Sequence, residues 1–87
     1  MSLPDDGTII ETLLTYIREE LLYENEDVTL AADTELVKEG LLTSLGILRL
    51  LGFLEERFGV RLQASEVQIE DFLTAVTIRD LVKRHGA

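Results

Sequence analysis

The stretch "EGLLTSLGILRLLGFLEERFG", residues 39 to 59, constrains the fold more than any other part of the chain. At about 100° per residue, Ile47, Leu50, Leu51, Leu54 and Phe58 fall within about 60° of one direction, the pattern of a helix with one face in a core. A strand cannot use this spacing, because its side chains alternate between faces at every residue. Thr43 or Ser44 opens the helix and Gly59 stops it. Leu45, Leu48 and Gly52 lie roughly 100° to 160° from the core direction, a second strip that the core face does not need. Arg49 and Glu56 lie near 180° to 200°, and Phe53 falls on the remaining flank, toward the last helix.

The other segments must complete that core. Ile10, Leu13, Leu14, Ile17 and Leu21 recur at helical spacing after a capping box at Thr8–Glu11, giving a first helix to about Leu22. Residues 23–42 carry no sustained period and read as a long connection anchored by Val28, Leu30, Leu36 and Val37. After an extended "VRLQA", a capping box at Ser65–Gln68 opens a short helical stretch through Asp71. "TAVTIRDLVKRHG" is a last helix with Ile78, Leu81 and Val82 inward, Lys83 and Arg84 at the favourable end of its dipole, and Gly86 as its stop. His85 falls in a frayed tail. The expected architecture is all-α, a four-helix bundle of three main helices and one short one with a long first loop. Residues 1–7 read as a flexible leader and residues 8–86 as one domain.

Charge narrows the partners. The net charge is −9, and all of it lies before Ser44, where eleven acids face two bases; the remainder balances at six and six. Such a surface repels nucleic acid and anionic lipid, and it serves either to match basic partner surfaces or simply to keep the chain in solution. With no cysteine there is neither a disulfide nor a thiolate metal site. The acids of "ENED" (Glu24 to Asp27) lack the alternating ligands, central glycine and closing glutamate of an EF-hand loop, so a solvated loop is the better reading. No apolar span or secretory signal pattern marks the N-terminus, which points to a cytoplasmic monomer without membrane insertion.

Ser44 is the residue on which chemistry could turn. The first turn of a helix presents unpaired N–H groups that favour an anion, a phosphate in particular. Thr43 can supply the capping oxygen and leave Ser44 free. A serine at a helix start is ordinarily a cap, however, and the residues alone leave both roles open. The strip of Leu45 and Leu48 is either a partner surface or covered by the preceding loop.

"EGLLTSLGILRLLGFLEERFGVRL" resembles the prosthetic-group helix of acyl and peptidyl carrier proteins. Ser44 stands at the position of the modified serine, Leu45 at that of its apolar successor, and "LEERFG" (Leu54 to Gly59) at the family spacing without a gap. "EDFLTAVTIRDLV" is similar to the closing segment, so the resemblance spans nearly the whole chain. It implies a carrier, not an enzyme. A phosphopantetheinyl transferase would use coenzyme A and magnesium to place 4′-phosphopantetheine on Ser44, with Thr43 capping beside it. Acyl or aminoacyl cargo would then travel as a thioester from a loading enzyme to a downstream synthase or transferase. Leu45, Leu48, Arg49, Gly52, Glu55 and Glu56 would meet those partners.

The chain departs from the family pattern in two places. Thr43 stands where an aspartate usually precedes the serine, and Arg49 and Arg57 break the usual acidity of the second helix. Both suit a dedicated partner, and both keep a second function in view: an unmodified helical interaction module, a degenerate carrier retained for binding. "EGLL" and "Ser-Leu-Gly" look more like the stand-alone aminoacyl carriers, such as D-alanyl carriers, than the fatty-acid type.

Overall fold

A computed structural model describes residues 3–22 and 29–86. The acidic segment Glu24–Asp27 and the anchor Val28 lie outside the described residues. Helix α1 runs Asp6–Tyr16. Its cap is Asp5, whose carboxylate accepts the Thr8 N–H at 2.8 Å, and not Thr8 as the capping box suggested. The helix therefore starts three residues earlier, and the half-buried Leu3 packs against the core. An aspartate three residues ahead of Thr8 offers a charged acceptor to an unpaired helix-start N–H, which a threonine cannot match.

The buried stripe of α1 keeps the expected Leu13 and Ile17 but is led by Ile9 in place of Ile10. Ile9, Leu13 and Ile17 are fully buried, whereas Ile10 and Leu14 are only partly so. Both sets have helical spacing, so periodicity alone cannot rank them; the packing of the other helices selects one. After Tyr16 the helix widens into a π turn, Ile17–Leu21, closed by Leu22 N–H donating to the Ile17 carbonyl at 2.9 Å. This turn brings Leu22 into the core and leaves Leu21 packed at its margin.

The described part of the long loop is tied down at several points. Leu36 is fully buried, its N–H donates to the Leu73 carbonyl at 2.8 Å, and its own carbonyl receives the N–H groups of Leu41 and Leu42. Val76 N–H reaches back to the Ala32 carbonyl at 3.2 Å. Gly40 turns the chain at φ 72°, a left-handed conformation open to glycine, and delivers it to Thr43.

Helix α2, Ser44–Phe58, matches the expected span, and its Gly59 adopts φ 69° while donating to the Glu55 carbonyl. Leu50, Leu51, Leu54 and Phe58 are buried, and Ile47 packs beside them. Phe53 does not take the expected partner: its ring stacks on Tyr16 of α1 with centroids 4.0 Å apart and meets Phe58 edge-on.

Past Val60 and Leu62, both buried, Ser65 lies in a short 3₁₀ turn, Ala64–Glu66, and does not cap the next helix. That helix is itself 3₁₀, Ile69–Phe72, and it begins at Gln68, whose N–H donates to Asp71 Oδ2 at 2.9 Å. The side chain of Phe72 plugs the core. Helix α3, Ala75–Gly86, opens with Thr74 and Thr77 exchanging backbone-to-hydroxyl bonds at 3.1 and 3.2 Å. Ile78, Leu81 and Val82 are fully buried, as their spacing requires. His85 belongs to this helix and is half-buried, so the tail is not frayed at that point. Among the described residues there is no strand, and the molecule is all-helical.

Candidate functional site

Thr43 fixes the start of α2. Its backbone is extended, at φ −93° and ψ 174°, and its hydroxyl accepts the Gly46 N–H at 3.2 Å, while its carbonyl receives the Ile47 N–H at 2.8 Å. The capping oxygen therefore comes from Thr43, and Ser44, the first helical residue, stands exposed. The Ser44 and Leu45 N–H groups have no backbone acceptor among the described residues. Outward N–H groups and the positive end of the helix dipole surround an accessible serine hydroxyl, an environment suited to a phosphodiester on that oxygen.

Leu45 and Leu48 are 68% and 61% exposed. The described part of the preceding loop leaves them open. Gly52 lies on the same outer side with open space around it. Arg49, Glu55 and Glu56 are all exposed. Glu55 has a structural duty as well, since its Oε2 accepts the Leu62 N–H at 3.3 Å and holds the chain leaving α2. Arg57 lies 5.9 Å from the Phe58 ring centre.

A groove of about 310 Å³ opens beside Ser44, between the π turn of α1 and the first turns of α2. Its lining combines Thr43, Leu45 and Arg49 at the start of α2 with Leu41 of the loop and Leu21 and Leu22 after α1. Gly46 belongs to its floor: a Cβ there would come within 3.2 Å of Leu42 and 3.8 Å of Leu21. The sequence pointed to Thr43, Leu45 and Arg49 but not to the rest of the lining. No period marks residues 17–22 as a π turn, so the position of Leu21 and Leu22 depends on that irregularity. Among the described residues no cluster of His, Cys, Asp or Glu could hold a metal, and no helix is long and apolar enough to cross a membrane.

With this geometry in place, likeness to known proteins identifies the chain. Residues 11–84 match the family described as "Phosphopantetheine attachment site". The chain is 38% identical over 65 residues to a D-alanyl carrier protein of Streptococcus suis (strain 98HAH33), covering 75% of this chain and 78% of that protein. It also superposes with a TM-score of 0.68 and 28% identity on a chain of a solved structure described as "Crystal structure of FAD-dependent dehydrogenase", covering 80% of this chain and 97% of the other. A free serine at the open start of a helix, a match over nearly the full length and a carrier relative together place the chain in the phosphopantetheine-attachment family: it is a non-catalytic carrier protein of the acyl and peptidyl carrier type, with 4′-phosphopantetheine as its covalent group.

Proposed function

We propose that the prosthetic arm is attached to Ser44 Oγ and that the cargo is an aminoacyl group, with D-alanine the first candidate. The exposure of Ser44 at the first position of α2, with Thr43 making the capping bond in its place, is the observation that carries this reading. The arm would supply a thiol for thioester attachment of the cargo, which this cysteine-free chain lacks. The chain's own residues do the rest. Thr43 keeps the Ser44 hydroxyl out of the capping network, and the helix-start N–H groups stabilise a negative charge beside it. The D-alanyl carrier relative supports the aminoacyl cargo. The exposed Leu45 and Leu48, with Gly52 between flanking Arg49, Glu55 and Glu56, offer the surface for a transferase, a loading enzyme and a downstream acceptor enzyme.

Incubation with coenzyme A, magnesium and a broad-specificity phosphopantetheinyl transferase should add one phosphopantetheine mass to the intact protein, and Ser44→Ala should gain none. Modification that persists in Ser44→Ala would move the site, with Thr43 the first residue to test. Absence of modification, in protein isolated from its natural source as well, would favour an unmodified interaction module. The cargo is tested separately, by offering the modified protein several amino acids with an ATP-dependent amino-acid ligase and fatty acids with an acyl ligase. A preference for fatty acyl over aminoacyl groups would overturn the cargo assignment and leave Ser44 in place.

A further inference from the structure

We propose that the groove between the π turn of α1 and the start of α2 is the resting place of the chain's own phosphopantetheine arm, with Arg49 as the cation that holds the arm's phosphodiester end. The inference rests on attachment at Ser44, because that residue is flanked by two groove residues, Thr43 and Leu45. An arm leaving Ser44 therefore starts at the groove's edge. A volume of about 310 Å³ is at the lower end of small-molecule sites, on the order of 300–1,000 Å³, which suits a slender arm better than a bulky ligand. Its lining also matches the arm's chemistry. Leu21, Leu41 and Leu45 provide apolar surface for the dimethyl-bearing segment, while the capping hydroxyl of Thr43 provides a polar neighbour.

Among the described residues Arg49 is the only charged one of the lining. It sits four residues after Leu45 and three after Gly46, and so on the same side of α2, with a side chain that helical geometry directs back toward the N-terminus. Among the described residues it makes no ion pair. A monoanionic phosphodiester on Ser44, five residues nearer the helix start, is a matching acceptor for a guanidinium. Gly46 keeps the floor open, because the nearest side chains leave little room for a Cβ there. The π turn completes the site by setting Leu21 and Leu22 against it from α1.

The test compares the unmodified and modified proteins by NMR after intact mass has verified the addition at Ser44. Amide shifts of Leu21 and Leu22, which belong to a segment remote from Ser44 in sequence, should move on modification. Cross-peaks should connect the arm's methyl protons to the Leu21 and Leu41 side chains. In modified Arg49→Gln the phosphorus resonance should shift and those cross-peaks should weaken by at least half. Verified addition at Ser44 with unmoved Leu21 and Leu22 and no cross-peaks would overturn the inference alone. Unchanged spectra in Arg49→Gln would overturn the part assigned to Arg49. No addition at Ser44 would instead overturn the attachment site, and this inference with it.

Discussion

At the residue scale, the two apolar sets on α2 should behave as different materials. Leu54 is fully buried and Phe58 is 8% exposed, so Leu54→Ala or Phe58→Ala should cost about 2–5 kcal/mol, measurable by denaturant unfolding. Leu48 is 61% exposed, and Leu48→Ala should stay within about 0.5 kcal/mol of wild type in the same assay. A Leu48→Ala loss equal to that of Leu54→Ala would mean that the outer strip belongs to the core. Gly59 is a different kind of position, constrained by backbone and not by packing. At φ 69° an alanine pays the left-handed penalty, and Gly59→Ala should destabilise by about 1 kcal/mol although nothing crowds its Cβ.

At the element scale, the short 3₁₀ helix is joined to α3 through Asp71. Its Oδ1 receives Arg84 at 2.7 Å and its Oδ2 receives the Gln68 N–H at 2.9 Å. Partial burial pushes the Asp71 pKa up, but the Arg84 hydrogen bond, the Gln68 N–H and the positive charges of Arg84 and His85 outweigh it, leaving the group below the usual 3.8. A carboxylate whose folded pKa is depressed adds stability that is present above the unfolded pKa and is lost as pH falls through the folded one. Thermal unfolding should therefore show a drop in Tm below about pH 4 that is smaller in Asp71→Asn than in wild type. The Asp5 cap is also lowered, by the Thr8 N–H first and the Thr8 hydroxyl second, so it contributes a loss of the same sign in that range. An equal acid loss in both proteins would mean that the Asp71 pair is not the sensitive one. Next to Arg84 in the same last turn, Lys83 reaches Asp6 of α1 at 2.9 Å, with Arg79 at 3.9 Å, so a cation placed well for the dipole of α3 also ties it to α1.

At the scale of the whole molecule, stability and recognition are carried by different faces. The core draws on Ile9, Leu13 and Ile17 of α1, Leu50 and Leu54 of α2, Phe72, and Ile78 and Leu81 of α3, with Leu36 from the loop. The outer strip of α2 contributes little to it. The double variant Leu45→Asp/Leu48→Asp should keep the wild-type Tm within a few degrees and lower the rate of modification or loading at least tenfold, about 1.4 kcal/mol. A normal rate in a folded double variant would place the partner surface elsewhere.

The sequence by itself determined the three α-helices and the end of α2 at Gly59, because each depends on local physics: the 3.6-residue period and a glycine in the left-handed region. The family was legible for a related reason, since the spacing from Ser44 to Gly59 serves both the core and the site. What the tertiary structure decided were choices between locally equivalent options. Ile9 or Ile10 could lead the stripe of α1, Phe53 could face either neighbouring helix, and Asp5 or Thr8 could cap α1. The capping boxes at Thr8 and Ser65 gave way to stronger acceptors at Asp5 and Asp71. The groove beside Ser44 also depended on tertiary contact, because its two walls meet across a π turn that leaves no pattern in the chain.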